Sequence, residues 1–165
     1  MHFDPSIVKT RFDTELGPMI VAATDQGLAG AWFEGQHHMP DHARWPLAPE
    51  HPVLLEAMRQ IRQYLAGDRS AFDLPLDLHS GTGFQQSVWQ ALLAIPRGTT
   101  TSYSSIARHL NNPRAVRAVG AAVGLNPISI VVPCHRVIGA DGSLTGYAGG
   151  LDRKKVLLQH EAAHT

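Results

Sequence analysis

Short apolar stretches alternate with turn residues along the first part of the chain. The stretches at 9–12, 19–23 and 27–33 are rich in apolar and β-branched residues, and Gly17-Pro18 and Asp25-Gln26-Gly27 separate them. Strands with this composition are commonly joined by turns that contain glycine, proline or aspartate. The pattern therefore predicts a small antiparallel meander with turns at the two separators.

A polar loop and an amphipathic helix are predicted next. Residues 35–52 are rich in His, Pro and polar residues, which is typical of a loop. From Pro52 to Leu65 apolar residues recur at helical spacing, and Gly67 stands where a helix commonly ends. We expect this helix to cover one face of the sheet. Residues 72–78 alternate apolar and acidic residues, as a last strand or an extended connector does.

A break in this pattern divides the chain into two predicted domains. Ser80-Gly81-Thr82-Gly83 interrupts the alternation with small and polar residues. We therefore place an N-terminal domain at residues 1–79 and a C-terminal domain at residues 80–165. The charge balance changes at the same point: residues 1–81 hold 6 Lys and Arg against 11 Asp and Glu (−5), and residues 82–165 hold 8 against 3 (+5). Either surface charge has clustered by chance, or the second domain is attracted to a polyanion.

The C-terminal domain is predicted to be mainly helical. Thr82-Gly83-Phe84-Gln85 has the spacing of a capping box, and the apolar face that follows continues until Pro96-Arg97-Gly98 ends the helix. Ser102 is placed to cap a short second helix. Asn112-Pro113 predicts the start of a third, with Asn as N-cap and Pro as the first helical residue, ending near Leu125. Two short helices joined by a brief turn predict a helix-turn-helix.

The third predicted helix is both thin and basic. Small residues in a helix more often allow close packing inside a core, but arginines on the same helix favour an approach to a nucleic-acid groove. The positive charge of the C-terminal domain favours an approach to a nucleic-acid groove. The small residues are Ala115, Ala118, Gly120, Ala121, Ala122 and Gly124, and the arginines are Arg114 and Arg117.

Composition limits where the protein is expected to work. The chain has 165 residues and one cysteine, so it cannot form an internal disulfide. Its start lacks a basic segment followed by an apolar one, and no apolar run approaches the roughly 18 residues of a membrane span. A lone thiol lasts best in a reducing compartment, so we expect a cytoplasmic protein without membrane association.

The candidate chemistry centres on that cysteine. A predicted strand at 128–132 runs into Pro133-Cys134-His135-Arg136, and a glycine-rich loop follows from Gly139 to Gly150. A cysteine beside a histidine is a candidate thiolate nucleophile, although a buried structural cysteine is the commoner case. Adjacent residues of an extended segment point to opposite sides, so His135 can reach the sulfur only through a bend or a bridging water.

The segment around Cys134 resembles a known active-site signature. Pro133-Cys134-His135-Arg136-Val137, preceded by Asn126-Pro127 and followed by Gly146-Tyr147-Ala148-Gly149-Gly150, is similar to that of the O6-alkylguanine-DNA alkyltransferases. The resemblance extends from Phe84 to Glu161, and the N-terminal part matches only in outline. It implies an α+β fold: a small N-terminal α/β domain, ribonuclease H-like with an antiparallel sheet, and a mainly helical C-terminal winged helix-turn-helix domain.

The resemblance also implies roles for individual residues. Cys134 would be the nucleophile and final alkyl acceptor, His135 its base through a water, Glu161 the group that orients the imidazole, and Asn126 the brace of the turn. Tyr103 would press on the 3′ phosphate and protonate the leaving guanine at N3. Arg117 would replace the flipped guanine in the base stack, with the helix-turn-helix in the minor groove. The remaining implied contacts to DNA or to the base are Arg114, Ala115, Ala118, Tyr147, Ala148, Gly149 and Gly150.

The implied activity is DNA repair by a single-turnover methyltransferase. An alkyl group would move irreversibly from O6-alkylguanine in double-stranded DNA to Cys134, and activity on O4-alkylthymine stays open. No metal or organic cofactor is expected, because formation of the carbon–sulfur bond drives the reaction. We expect a monomer, with cooperative binding along DNA left open.

Some residues depart from the family pattern. Ala148 stands where many members carry a serine that contacts the base, and Val123 where a bulkier side chain can pack against it. The cysteines that hold a structural zinc in some members are missing. His37, His38 and His42 lack thiolate or carboxylate partners at suitable spacing, so we expect exposed loop histidines rather than zinc ligands.

Two other classes of function remain as alternatives. The first is a protein that binds and flips alkylguanine without repairing it; related proteins of that kind replace the cysteine, so Cys134 argues against it. The second is a multiple-turnover cysteine hydrolase built on Cys134, His135 and Glu161. A hydrolase would need an acyl substrate and an oxyanion hole, which a basic helix-turn-helix does not explain.

Overall fold

The computed structural model describes residues 1–164, which divide into two compact units. Unit 1 comprises Met1–Gly81 together with Pro127–Val131, and unit 2 comprises Thr82–Asn126 together with the chain from Val132 onward. The chain therefore enters unit 2 at Thr82, returns to unit 1 for a short segment, and re-enters unit 2 just before Cys134. The sequence pattern gives no sign of this return.

Unit 1 is built on a three-stranded antiparallel sheet in the order β1-β2-β3. The strands are β1 (Val8–Thr14), β2 (Gly17–Thr24) and β3 (Gly27–Phe33), and every residue of β3 is buried. Helix α1 (Pro52–Leu65) packs against all three strands, as its apolar spacing predicts. Gly67 follows its end with a φ of 84°, a conformation that glycine adopts without strain.

The first turn differs from the sequence expectation. Gly17 and Pro18 lie inside β2, where Gly17 pairs with Thr14 and Pro18 with Asp13. The turn itself is Glu15-Leu16, and it is fixed by Thr14, whose hydroxyl accepts from the backbone N–H of Leu16 at 3.1 Å and donates to the Gly17 carbonyl at 2.6 Å. The Thr14 side chain thus fixes the turn, and Gly17 is already part of strand β2.

The predicted loop at 35–52 contributes to the core of unit 1. Its Trp45 ring lies 5.7 Å from that of Trp32 in β3 and 5.1 Å from that of Phe3. Residues 72–78 form an extended connector with a single bridge, between Leu76 and Leu28. Burial of these aromatic rings stabilises the sheet without further strands.

Unit 2 is mainly helical. Its helices are α2 (Gly83–Leu93), α3 (Tyr103–His109), α4 (Val116–Gly124) and α5 (Leu151–Ala163), and two short parallel strands pair β4 (Thr101–Ser102) with β5 (Val137–Ile138). The capping box at Thr82 and Gln85 and the Ser102 cap of α3 are both present, as predicted. The Trp89 indole of α2 donates to the Ala122 carbonyl of α4 at 2.8 Å, which fixes the packing of these two helices.

The third helix starts later than predicted. Asn112 is not its N-cap and Pro113 is not its first residue, because α4 begins at Val116 with Ala115 as N-cap and no side-chain cap. The Asn112 carbonyl instead accepts from the Ala115 N–H at 3.0 Å, closing a separate turn. Asn and Pro favour such a turn as readily as a helix start, so the local signal is ambiguous.

The predicted strand at 128–132 is also not present. Only Ile128 forms a bridge, to Ala31 of β3. The Val131 N–H then bonds back to the Ser129 carbonyl at 2.9 Å, and Ile130 between them has a φ of 73°. This is a tight γ-turn, which is rare and strained for a β-branched residue.

Among residues 1–164, no helix has both the length and the apolar character that a membrane span requires.

Candidate active site

Cys134 lies at the start of a one-turn 3-10 helix, Cys134–Arg136, between two anchored segments. On its N-terminal side the Cys134 N–H donates to the Val132 carbonyl at 2.8 Å, across Pro133 with φ −81° and ψ 63°. This is an inverse γ-turn, and proline favours it by fixing φ. On the C-terminal side β5 begins at once and pairs with β4. Both flanks of the nucleophile are therefore held by backbone hydrogen bonds.

Asn126 connects the end of α4 to this turn. Its side-chain N–H donates to the Val132 carbonyl at 2.8 Å, the same oxygen that accepts from Cys134. The Asn126 side chain also hydrogen-bonds the sulfur, which lowers the pKa of the thiol. These contacts hold the bend that replaces the predicted strand.

A buried relay of charged groups lies next to the cysteine. His135 is fully buried, and its Nε2–H donates to Oε2 of Glu161 at 2.8 Å; the direction follows because a carboxylate only accepts. Arg136 donates to both oxygens of the same carboxylate, at 2.9 and 2.8 Å, and to the Ile95 carbonyl at 2.7 Å. The contact between Arg136 and Glu161 is a bidentate pair of charge-assisted hydrogen bonds, which are stronger than those between neutral groups.

This arrangement fixes the state of the imidazole. With Nε2 carrying the proton toward Glu161, Nδ1 is left as an acceptor, and it is buried without a hydrogen-bond partner among residues 1–164. Burial lowers the pKa of His135, the bond to Glu161 opposes this, and the charges of Arg136 and Lys154 lower it further. His135 is thus neutral near pH 7 and able to take up a proton at Nδ1.

The sulfur is protonated in the resting site. Cys134 is 5% exposed, and burial raises the pKa of its thiol to about 11, while Asn126 and Lys154 oppose the rise. A thiol at neutral pH needs a base before it can attack, and the free nitrogen of the neighbouring imidazole is such a base. Both residues lie in a 3-10 turn and not in an extended segment, so their side chains are not on opposite sides of the chain; neighbouring residues of such a turn still do not face each other, which leaves room for a bridging water.

Tyr103 is held close to the glycine-rich loop. It begins α3 directly after β4, and its hydroxyl accepts from that of Thr145 at 3.0 Å. Tyr147 and Gly149 are buried and Ala148 half-buried, whereas Gly150 is exposed with a φ of 94° ahead of α5. A shallow cavity of about 540 Å³ lies at this corner, lined by Gly149, Gly150, Leu151, Asp152 and Arg153.

The residues expected to contact DNA at the start of α4 and just before it form a separate group that is mostly exposed. Arg114, Arg117 and Ala118 are exposed and Ala115 is half-buried, while Val119, Ala122 and Val123 form the buried face. Among residues 1–164, no hydrogen bond joins Arg114 or Arg117 to the turn at Cys134. The chain connects the two groups, because Asn126 follows α4 directly and its N–H bonds to the Val123 carbonyl at 3.2 Å.

Two charged residues of the site were missed by sequence reasoning. Arg136 shares Glu161 with His135, and Lys154 is a buried lysine whose ammonium donates to the Val137 and Thr145 carbonyls at 2.6 and 2.7 Å. A signal for the lysine exists in the sequence. Lys154, Leu157 and Glu161 recur at helical spacing and are the buried residues of α5, so the inward stripe of this helix carries two charges.

The histidines of unit 1 form no metal cluster. No group of three or more potential ligands occurs among the described residues. His37 and His38 are exposed, but His42 is half-buried and accepts from Lys9 Nζ at 2.7 Å, so the expectation of full exposure is wrong for this residue.

The chain is similar to known proteins along most of its length. The family model described as 6-O-methylguanine DNA methyltransferase, DNA binding domain, matches residues 83–163, and that described as the ribonuclease-like domain of the same methyltransferase matches residues 7–78. A methylated-DNA–protein-cysteine methyltransferase of Mycobacterium leprae is 48% identical over 149 residues, covering 90% of this chain and 88% of the relative. One from Methanosarcina acetivorans is 46% identical over 153 residues, covering 92% and 96%.

Solved structures give the same result. The crystal structure of Mycobacterium tuberculosis OGT in complex with DNA superposes with a TM-score of 0.86 at 44% identity, covering 94% of this chain and 92% of that chain. That of Mycobacterium tuberculosis O6-methylguanine methyltransferase gives 0.87 at 44% identity, covering 96% and 94%. The fold and site define a two-domain, cysteine-dependent DNA methyltransferase. This chain belongs to the 6-O-methylguanine DNA methyltransferase family.

Proposed function

We propose that this chain repairs O6-alkylguanine in double-stranded DNA by accepting the alkyl group on Sγ of Cys134. The observation that carries the proposal is the buried relay of His135 and Glu161 beside the only cysteine, in the unit that matches the family's DNA-binding domain. A neutral imidazole with a free acceptor nitrogen next to a thiol is the arrangement that nucleophilic catalysis requires.

In the proposed reaction the thiol proton passes through a bridging water to Nδ1 of His135. The thiolate attacks the alkyl carbon, a carbon–sulfur bond forms, and the bond between that carbon and O6 breaks. The electron pair leaves with guanine, which takes up one proton, from Tyr103 in our proposal, and becomes an ordinary base. Glu161 stabilises the imidazolium, and Asn126 holds the turn.

The DNA contacts follow from the exposed side of α4. We propose that Arg114, Ala115 and Ala118 contact the minor groove, that Arg117 replaces the flipped base, and that residues 147–150 surround it. The minor groove is about 6 Å wide, which suits a helix with small side chains. Extrusion is needed because a stacked base cannot align its alkyl carbon with a buried sulfur.

The product limits each molecule to one reaction. A thioether is neither hydrolysed nor a good leaving group, so the sulfur stays alkylated. Because a free thiol must persist until it is used, we place the reaction in the reducing cytoplasm.

Intact-protein mass spectrometry tests the proposal. After incubation with a duplex containing O6-methylguanine, we expect the protein to gain one methyl group in place of one hydrogen, on the peptide that contains Cys134, with no more than one equivalent of repaired guanine. The Cys134→Ser variant should bind the duplex and gain no mass. Turnover beyond one equivalent would favour the hydrolase, and binding without any mass gain would favour the lesion-binding alternative.

A further inference from the structure

The buried ammonium of Lys154 has no carboxylate partner. The residue is 0% exposed in α5, and its Nζ donates to the carbonyls of Val137, Thr145 and Gly146 at 2.6, 2.7 and 3.3 Å. Within residues 1–164 no carboxylate forms an ion pair with it. Burial of an unpaired charge is costly, and a neutral amide could donate to carbonyls without that cost. The positive charge itself therefore needs an explanation.

The three carbonyls lie at the two ends of one loop. Val137 begins β5 directly after the Cys134 turn, and Thr145 and Gly146 close the glycine-rich segment, which is bridged inside by the Gly139 N–H to the Ser143 carbonyl at 2.9 Å. Lys154 thus joins the segment that follows the nucleophile to the one whose Thr145 hydroxyl bonds to Tyr103. One side chain orders both parts of the site.

The charges around the sulfur are unbalanced while it is protonated. Glu161 is engaged by both His135 and Arg136, so it does not neutralise Lys154. Burial lowers the pKa of Lys154 from its ordinary value, and a thiolate at Cys134 opposes that fall; in turn, the charge of the ammonium lowers the pKa of the thiol. A negative charge on the sulfur would be the missing counter-ion.

We propose that Lys154 is a positioning residue for alkyl transfer. Its ammonium holds Val137 and Thr145, the two ends of the loop between them, close together, and it stabilises the negative charge that develops on Cys134. The inference rests on the proposed function, because it assigns a role within the same reaction. Under this inference the two residues act on different charges. Glu161 stabilises the imidazolium of His135, and Lys154 stabilises the thiolate of Cys134.

The test compares Lys154→Met with Lys155→Met, its exposed neighbour on the same helix. Iodoacetamide, which needs no DNA, measures the reactivity of Cys134 against pH. Between about pH 7 and pH 9, where the ammonium is charged, we expect Lys154→Met to lower this reactivity about tenfold or more, because loss of a nearby opposite charge leaves less thiolate. In single-turnover methyl transfer at saturating duplex, its rate should fall about tenfold or more, with Kd for the duplex within about twofold. Lys155→Met should match the original protein in each measurement.

A superimposable pH profile would overturn the inference, even if Lys154→Met were less stable, because a merely structural role would leave the reactivity of the thiol between about pH 7 and pH 9 unchanged. If the original protein transfers no methyl group, the proposed function fails; if it does and Lys154→Met transfers equally fast, only this inference fails. A second measurement does not depend on the variant folding. The ε-carbon NMR signal of Lys154 should titrate at higher pH before methylation of Cys134 than after it, and identical titrations would also overturn the inference.

Discussion

At the scale of single residues, the site keeps two neighbouring groups in the uncharged state. Burial raises the pKa of the Cys134 thiol and lowers that of the His135 imidazole, so neither is ionised at neutral pH. Proton transfer from one to the other creates two opposite charges at once. In our proposal Glu161 stabilises the imidazolium and Lys154 the thiolate.

The lowered pKa of His135 predicts a pH-dependent stability. The unfolded chain binds a proton at this histidine below about pH 6.5, whereas the folded protein does not, so stability is full above that value and falls as pH decreases. As pH falls below about 6.5, the loss should approach about 1.4 kcal/mol for each pH unit until the folded protein also takes up the proton. Urea unfolding should show this slope, and His135→Gln should reduce it. The control His109→Gln, at an exposed position, should keep it; parallel curves for all three proteins would refute the assignment.

How far the site could be predicted depends on which contacts are local. Cys134, His135 and Asn126 lie within a few residues of one another, and a contiguous motif identifies them. The partners of Glu161 depend on how α5 is rotated against the Cys134 turn, and spacing alone does not give that rotation. The burial of Lys154 could not be predicted from its residue type, because a lysine is almost always solvated. Only the structure shows its ammonium bonded to carbonyls.

At the scale of elements, the small residues of α4 serve two different surfaces. Ala122 is buried against α2, whereas Ala118 and Ala121 are exposed. A Cβ on Gly120 would lie 3.8 Å from the Tyr103 ring, and one on Gly124 would meet no atom within 4 Å. Close packing inside the domain therefore does not explain the thin exposed side of the helix.

Enlarging this exposed side should weaken DNA binding and spare the fold. Ala118→Leu should change the free energy of unfolding by no more than about 0.5 kcal/mol, as is usual for an exposed position. If α4 enters a groove, the same change should raise Kd for duplex DNA by about tenfold or more. Fluorescence anisotropy with a labelled duplex measures this, with Gln90→Leu on the exposed side of α2 as the matched control. Equal Kd values for both variants would place the DNA elsewhere.

The element boundaries show where local signals are insufficient. The caps of α2 and α3 were predictable because a side chain and a nearby N–H settle them. The start of α4 was not, since Asn112 and Pro113 form a turn with the same preferences. The segment at 128–132 has the composition of a strand, but a strand also needs a partner along its length, and only Ile128 finds one.

At the scale of the whole molecule, unit 1 includes the segment Pro127–Val131, which leads to Cys134. The Ala31 N–H donates to the Pro127 carbonyl at 2.8 Å and the Ser129 N–H to the Ala31 carbonyl at 2.9 Å. These bonds fix the chain between Asn126 and Cys134. Unit 1 is thus more than an attachment to the DNA-binding unit, because its edge strand β3 holds the chain segment that leads to Cys134.

The separation of charge along the chain predicts a salt-dependent interaction with DNA. Residues 82–165 carry an excess of 5 positive charges, which would displace counterions from phosphates. A plot of log Kd against log salt concentration should be linear, and the double change Arg114→Ala and Arg117→Ala should reduce its slope by up to about 0.9 for each phosphate contact removed. The control Arg44→Ala, in unit 1, should leave the slope unchanged. An unchanged slope in the double variant would show that these arginines do not touch phosphates.

The protonated, buried sulfur has a consequence for the time before any lesion is met. Oxidants and disulfides attack the thiolate form at accessible positions, and Cys134 in the resting protein is neither ionised nor open to solvent. In the proposed function each protein molecule can react only once, so a reaction of Cys134 with peroxide or glutathione disulfide would inactivate it before any repair. The burial that keeps the thiol protonated thus also protects Cys134 from oxidation in the time before the protein meets a lesion.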